Sequence, residues 1–205
     1  MSIFKKEIKC PYCRGALGIK PTRKTKCHHC KKPIYVRDGK LLTEEEKVRH
    51  DDLEMFRITE NEYKTKQSDL FKKWGFMPSH SDTIWGLANE KIPGLLIKKA
   101  YYDLRDLYLA MAKCLHREGK DFIELFKESR KCDLLVYKEM GVERIEIMTC
   151  GIVGPSCSIY SGKILLTDEA VKTMPIPTAD CLNKNRKEFH ICMYSTAPYE
   201  FEKGR

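Results

Sequence analysis

The spacing of apolar positions changes twice along the chain. Between residues 43 and 140 they recur at intervals of three and four, the period of helices that turn one face inward. The clearest stretch holds Ile97, Tyr101, Leu104, Tyr108, Met111 and Leu115, with Ala100 and Leu107 alongside and Gly119 as the stop. Another covers about Asp121 to Met140, with Phe122, Leu125, Phe126, Leu134 and Leu135 inward and Gly141 as the stop. Upstream, Thr43 with Glu46 and Thr59 with Glu62 are capping-box pairs. They predict helices to about Arg57 and to Trp74, the second closed by Gly75. Ser81 is expected to cap a short helix carrying Ile84, Trp85 and Leu87 that ends before Pro93.

On either side of this stretch the period shortens. Pro33-Ile34-Tyr35-Val36-Arg37, Arg144 to Met148, Ile164-Leu165-Leu166 and Phe189 to Tyr194 read as strands. Thr167 is expected to cap a helix from Asp168 to about Met174, closed by Pro175 and Pro177. The pattern predicts an α+β protein of three modules: residues 1–42, a helical domain over 43–142, and a small α+β cysteine-rich module over 143–205.

Composition narrows the class. With 42% hydrophobic residues there is enough to fill a core, so wholesale disorder is excluded. No apolar run reaches the roughly 18–20 residues of a membrane span. The opening MSIFKKEIKC lacks the apolar core of a secretory signal, so a cytoplasmic, reducing location is expected. There, ten cysteines read as thiolates, several on metal, rather than as a disulfide framework. No nucleotide-binding loop, nucleophile elbow or H-E-x-x-H helix is present, so no nucleotide cofactor is expected.

Charge is uneven. Residues 1–40 hold twelve basic and two acidic side chains, net +10, while the remaining 165 residues sum to −1. A basic end on a near-neutral body is an electrostatic footprint for a polyanion.

The same end holds Cys10-Pro11-Tyr12-Cys13 and, thirteen residues on, Cys27-His28-His29-Cys30. Two C-x2-C turns supply four soft ligands for one tetrahedral Zn2+, a closed and structural site. Four thiolates and the ion sum to −2, and the five basic residues of the intervening loop, with no acid among them, more than offset that. The segment over about residues 8–42 resembles the zinc-ribbon family. That resemblance implies two knuckles at hairpin tips, a short antiparallel sheet, and binding of nucleic acid or protein. Zinc ribbons often carry glycine just after each second cysteine; here those positions are Arg14 and Lys31, with Gly15 one later.

In the last module, Cys157, Cys181 and Cys192, with His190 or Cys150 as fourth ligand, are candidates for a second zinc site. Cys157, the Gly162-Lys163 turn, Pro175-Ile176-Pro177, Cys181 and Cys192 resemble the zinc-binding tail of Mu-like phage head-morphogenesis proteins, which implies a phage or mobile-element setting. Cys114 and Cys132, alone on helices, read as small buried hydrophobes, and His80 and His116 as structural.

The expected function is zinc-dependent, non-enzymatic nucleic-acid binding. Arg14, Lys20, Arg23, Lys24, Lys26, Lys31 and Lys32 would lie on backbone phosphates, with no catalytic residue assigned. The alternatives are a protein-interaction or assembly factor using the zinc modules as docking platforms, and a metal-dependent nuclease built on the C-terminal module.

Overall fold

Thr43 and Thr59 each accept a hydrogen bond from the amide three residues on, and Glu46 and Glu62 reach back to the cap amides, so both capping boxes form. They open α1 (Glu44–Met55) and α2 (Glu60–Trp74). The computed structural model describes residues 7–150, 155–179, 189 and 191–197. It gives an α+β protein with two small antiparallel sheets. Contacts divide the chain into two compact units, Met1–Ile84 and Trp85–Arg205.

In the first unit, β1 (Thr25–Lys26), β2 (Pro33–Arg37) and β3 (Lys40–Leu42) form a sheet in that order. β2 and β3 turn tightly through Asp38-Gly39, both in the left-handed conformation at φ 47° and 69°. The sheet seats on α1. The Tyr12 hydroxyl accepts the Glu44 amide at 2.7 Å, and Arg37 Nε donates to Asp51 Oδ1 at 3.0 Å. His50 Nε2 lies 3.0 Å from Asp38 Oδ2.

α3 (His80–Ile97) departs from expectation at both ends. Its cap is Ser79, whose hydroxyl accepts the Asp82 amide at 3.0 Å while its own amide donates to Asp82 at 3.1 Å. The helix also continues through Pro93. Proline removes one donor, but the turns on either side keep their own bonds, and the helix ends instead where Lys99 turns left-handed at φ 53°. Ile97 therefore closes α3 and is 85% exposed, rather than opening the next apolar stripe.

In the second unit α4 (Tyr101–Arg117) and α5 (Ile123–Glu139) form an extensive helix pair. α4 buries Leu104, Leu107, Ala110, Met111 and Cys114, the face its periodicity predicts, whereas Tyr102 is exposed. β4 (Arg144–Cys150) is the central strand of a sheet ordered β5 (Ile164–Leu166), β4, β6 (Ile191–Thr196). Between them run a turn of helix α6 (Pro155–Ser158) and α7 (Thr167–Thr173). The Thr167 hydroxyl does not cap α7. It donates to the Val142 carbonyl and ties the helix start back to the segment before β4. Phe126, Leu134, Ile145, Ile147 and Ile176 are fully buried where α5 meets the sheet.

That core holds a charge which periodicity did not assign inward. Arg130 is 5% exposed; its Nη1 lies 3.0 Å from Asp133 Oδ2 and 3.3 Å from the Cys192 carbonyl, and Nη2 donates to Ser129 Oγ at 3.2 Å. The guanidinium also lies over the Phe126 ring, 5.2 Å from its centroid. Burial pushes the Asp133 carboxyl up, against the pull of Arg130 and Arg105. No helix among the described residues is long and apolar enough to cross a membrane. Arg130→Ala, which leaves Asp133 with Arg105 alone and removes the side-chain link to the β6 backbone, is expected to cost about 2–3 kcal/mol in urea unfolding. A loss below about 1 kcal/mol would remove Arg130 from the fold's essential contacts.

Candidate metal centre

Two backbone knuckles of the same design hold the four cysteines. In the first, the Cys10 amide donates to the Gly15 carbonyl at 2.9 Å and the Arg14 amide to the Cys10 carbonyl at 3.0 Å. In the second, the Cys27 amide donates to Lys32 at 3.0 Å and the Lys31 amide to Cys27 at 2.9 Å. Each knuckle needs a left-handed residue after its second cysteine. Arg14 and Lys31 take that conformation at φ 62° and 61°, although glycine would do so without strain. The missing glycines therefore leave the geometry intact, at roughly 1 kcal/mol each.

Gly15 has a different task. A Cβ there would lie 2.5 Å from His29 Cδ2, and the His29 ring is held in place by a 3.1 Å contact from Nε2 to the Ala16 carbonyl. His29 thus staples the second knuckle to the first and is not a ligand.

The result is a tight sulfur cluster. Cys10 and Cys30 sulfurs are 3.8 Å apart, Cys13 and Cys27 sulfurs 3.8 Å apart, and all four lie within 4.8 Å of one another. All four are free thiols, not disulfides. A tetrahedron with Zn–S near 2.3 Å has edges of about 3.8 Å, so the cluster fits a zinc ion; it is a site close enough to hold a metal. Cys10 and Cys27 are fully buried and, with Ile34, make up the buried core of the ribbon among the described residues.

The thiols differ in proton affinity. Cys27 is drawn down to about 6, first by the Cys30 amide donating to its sulfur, then by the His29 amide and the neighbouring thiols, against partial desolvation. Cys13 ends at about 11: the Gly15 amide draws it down, but desolvation and proton sharing with Cys10, Cys30 and Cys27 outweigh it.

The basic residues predicted for phosphate contact, Arg14, Lys20, Arg23, Lys24, Lys26, Lys31 and Lys32, are all exposed. Lys24 stands 4.9 Å over the Tyr35 ring and Lys32 5.1 Å over Tyr12, while Lys31 Nζ donates to the His28 carbonyl at 2.8 Å. In the C-terminal module, Cys157 and Cys192 are fully buried in one apolar cluster, and the Cys157 sulfur lies 3.0 Å from Thr178 Oγ1. Cys181, His190 and the Cys150 side chain, candidates for the second zinc site, lie outside the described residues. Cys114 and Cys132 are buried, and burial pushes the Cys132 thiol up to about 12.

Two arrangements escaped the sequence reading. Asp38, His50 and Glu54 bring one ligand atom each within 4.8 Å of the others, with both carboxylates exposed; here they tie the β2–β3 turn to α1. His80 bridges buried Asp52 at 3.0 Å and the Tyr63 hydroxyl at 3.1 Å, beside a cleft of about 470 Å³ that Arg49 and Gln67 also line. Both ring nitrogens are engaged, which makes His80 a structural link between helices rather than a free base. Neither trio could have been found by spacing, because each joins residues from separate elements.

Comparison with protein-family models, with curated proteins and with solved structures finds no match for this chain.

Two outcomes follow. Gly15→Ala should displace His29, cost about 1 kcal/mol and raise the zinc off-rate; His29→Ala should raise it by a similar factor, and the double variant should be no worse than either alone. Zinc affinity, measured against a competing chelator, should fall with acidity and fall more steeply through pH about 6, where Cys27 gains its proton. A smooth loss with no added slope there would reassign the first thiolate.

Proposed function

We propose that the chain is a zinc-dependent nucleic-acid-binding protein without enzymatic activity, using the ribbon to hold basic side chains against backbone phosphates. The observation that supports this is the state of seven cations. Arg14, Lys20, Arg23, Lys24, Lys26, Lys31 and Lys32 are exposed, and among the described residues none pairs with a carboxylate. Elsewhere on the chain, basic residues commonly do pair, as Lys47 and Arg37 do with Asp51. Unneutralised positive charge on a small rigid module attracts condensed polyanions through counterion release.

Phosphate contacts of this type set affinity and register and carry no sequence information. The reading therefore expects binding that is strongly salt-dependent and tolerant of sequence. The ion's role is indirect: it supplies the rigidity that keeps the charges on one module, and the thiolates' negative charge stays at the centre.

Lys24→Ala with Lys26→Ala should weaken binding in a gel-shift titration and lower the slope of log affinity against log salt by about 2. An unchanged slope, or retention of a protein partner after nuclease treatment with no nucleic-acid binding at physiological salt, would reject the reading. Lys31→Gly separates charge from fold: it keeps the left-handed turn, so the ribbon should melt no lower, while nucleic-acid affinity drops.

A further inference from the structure

α2 ends in a way that core packing does not require. Gly75 takes φ 78°, and its amide donates to the Phe71 carbonyl at 2.8 Å. A Cβ at Gly75 would meet nothing within 4 Å, so glycine serves the backbone turn alone. The turn folds Phe76 back onto Trp74. The two rings stack with centroids 5.6 Å apart and 29° between planes.

These rings face solvent. Trp74 is 39% exposed and Phe76 62%, with Phe71 at 45% and Met77 at 65% beside them. Four large apolar side chains within seven residues, all exposed, are the kind of feature that marks an interaction surface. The charge beside them is positive. Lys72 and Lys73 occupy the last turn of α2, and no acidic residue occurs from Leu70 to Ser81. Lys72 has only a loose, exposed contact with Asp69 at 3.8 Å.

A ligand for this surface needs negative charge along its length and flat apolar faces free for stacking. Single-stranded nucleic acid has both, whereas a duplex has the charge but keeps its base faces inside. We infer that Trp74 and Phe76, flanked by Lys72 and Lys73, form a stacking platform for unpaired bases. This rests on the nucleic-acid reading above and narrows it to single strands, since the platform lies in the same unit as the basic ribbon.

The test uses the full-length, zinc-loaded chain with Trp85→Phe, so that Trp74 is the sole fluorophore of its kind. Titration with oligothymidylate of about 12 nucleotides should quench Trp74 saturably, and a duplex of equal length should not. Phe76→Ala removes an exposed ring and leaves the fold, checked by zinc content and circular dichroism. It should weaken single-strand binding about tenfold and leave duplex binding within about twofold. Trp74→Phe should keep most of the affinity that Trp74→Ala loses.

Equal affinity for single strand and duplex without quenching, or single-strand binding unchanged in Phe76→Ala and Trp74→Ala, overturns the platform. So does a Trp74 response to anionic lipid vesicles in place of the oligonucleotide. If Lys24 and Lys26 changes weaken binding while those at 74 and 76 do not, the platform fails and the ribbon reading stands. If the chain retains neither single strand nor duplex, the ribbon reading fails first and the platform with it.

Discussion

Four thiol sulfurs within 4.8 Å of one another are a costly arrangement unless a cation sits among them. As thiolates they repel; as thiols they have little to gain from such crowding. Among the described residues the buried core of this N-terminal module otherwise amounts to Ile34, with Tyr12, Leu17 and Leu41 partly packed on it. A core of that size does little to offset the entropy of ordering some thirty residues, and a cation held by the sulfurs would supply folding free energy there. The ribbon's other features follow from that constraint. The two knuckles share one hydrogen-bond design because each must present a sulfur pair to a common centre. His29 crosses from one knuckle to the other because each loop is short of packing partners.

The ribbon also leans on the helix after it. Tyr12 packs on the sulfur cluster and uses its hydroxyl to take the Glu44 amide, an orphan donor in the first turn of α1. Arg37 and Asp38 reach Asp51 and His50 further along the same helix. The second unit solves its stability problem differently. There, apolar burial around Phe126, Ile145 and Ile147 dominates, and one buried cation, Arg130, joins α5 to the backbone of β6.

Legibility in the sequence followed the range of the interaction. Capping boxes at Thr43 and Thr59, the C-x2-C turns and the stripe of α4 are local patterns, and they appear where periodicity and spacing put them. Pro93 misled because a local rule for ending helices was given more weight than the bonds on either side of it. Thr167 misled because its hydroxyl had a distant carbonyl to satisfy, at Val142. Arg130 on α5 looks like a solvated helix residue until β6, some sixty positions later, supplies its acceptor. Trp74 reads in the sequence only as a helix end, since its stacking on Phe76 depends on the left-handed turn at Gly75 between the rings.

The left-handed residues of the knuckles bring the two demands on this module into one place. Glycine at 14 and 31 would satisfy the backbone at no steric cost, yet arginine and lysine stand there, each strained by roughly 1 kcal/mol. Strain at such positions persists only where the surroundings determine the backbone conformation. Here the four-sulfur centre does so, because neither knuckle can relax without moving a ligand. Ion binding at those sulfurs, where it exceeds the strain, would leave the neighbouring positions open to charged side chains. The two charged side chains follow the second cysteine of each knuckle directly in sequence and face solvent. On this reading the departure from the usual glycines is a consequence of how firmly a metal held by the four sulfurs would fix the turns.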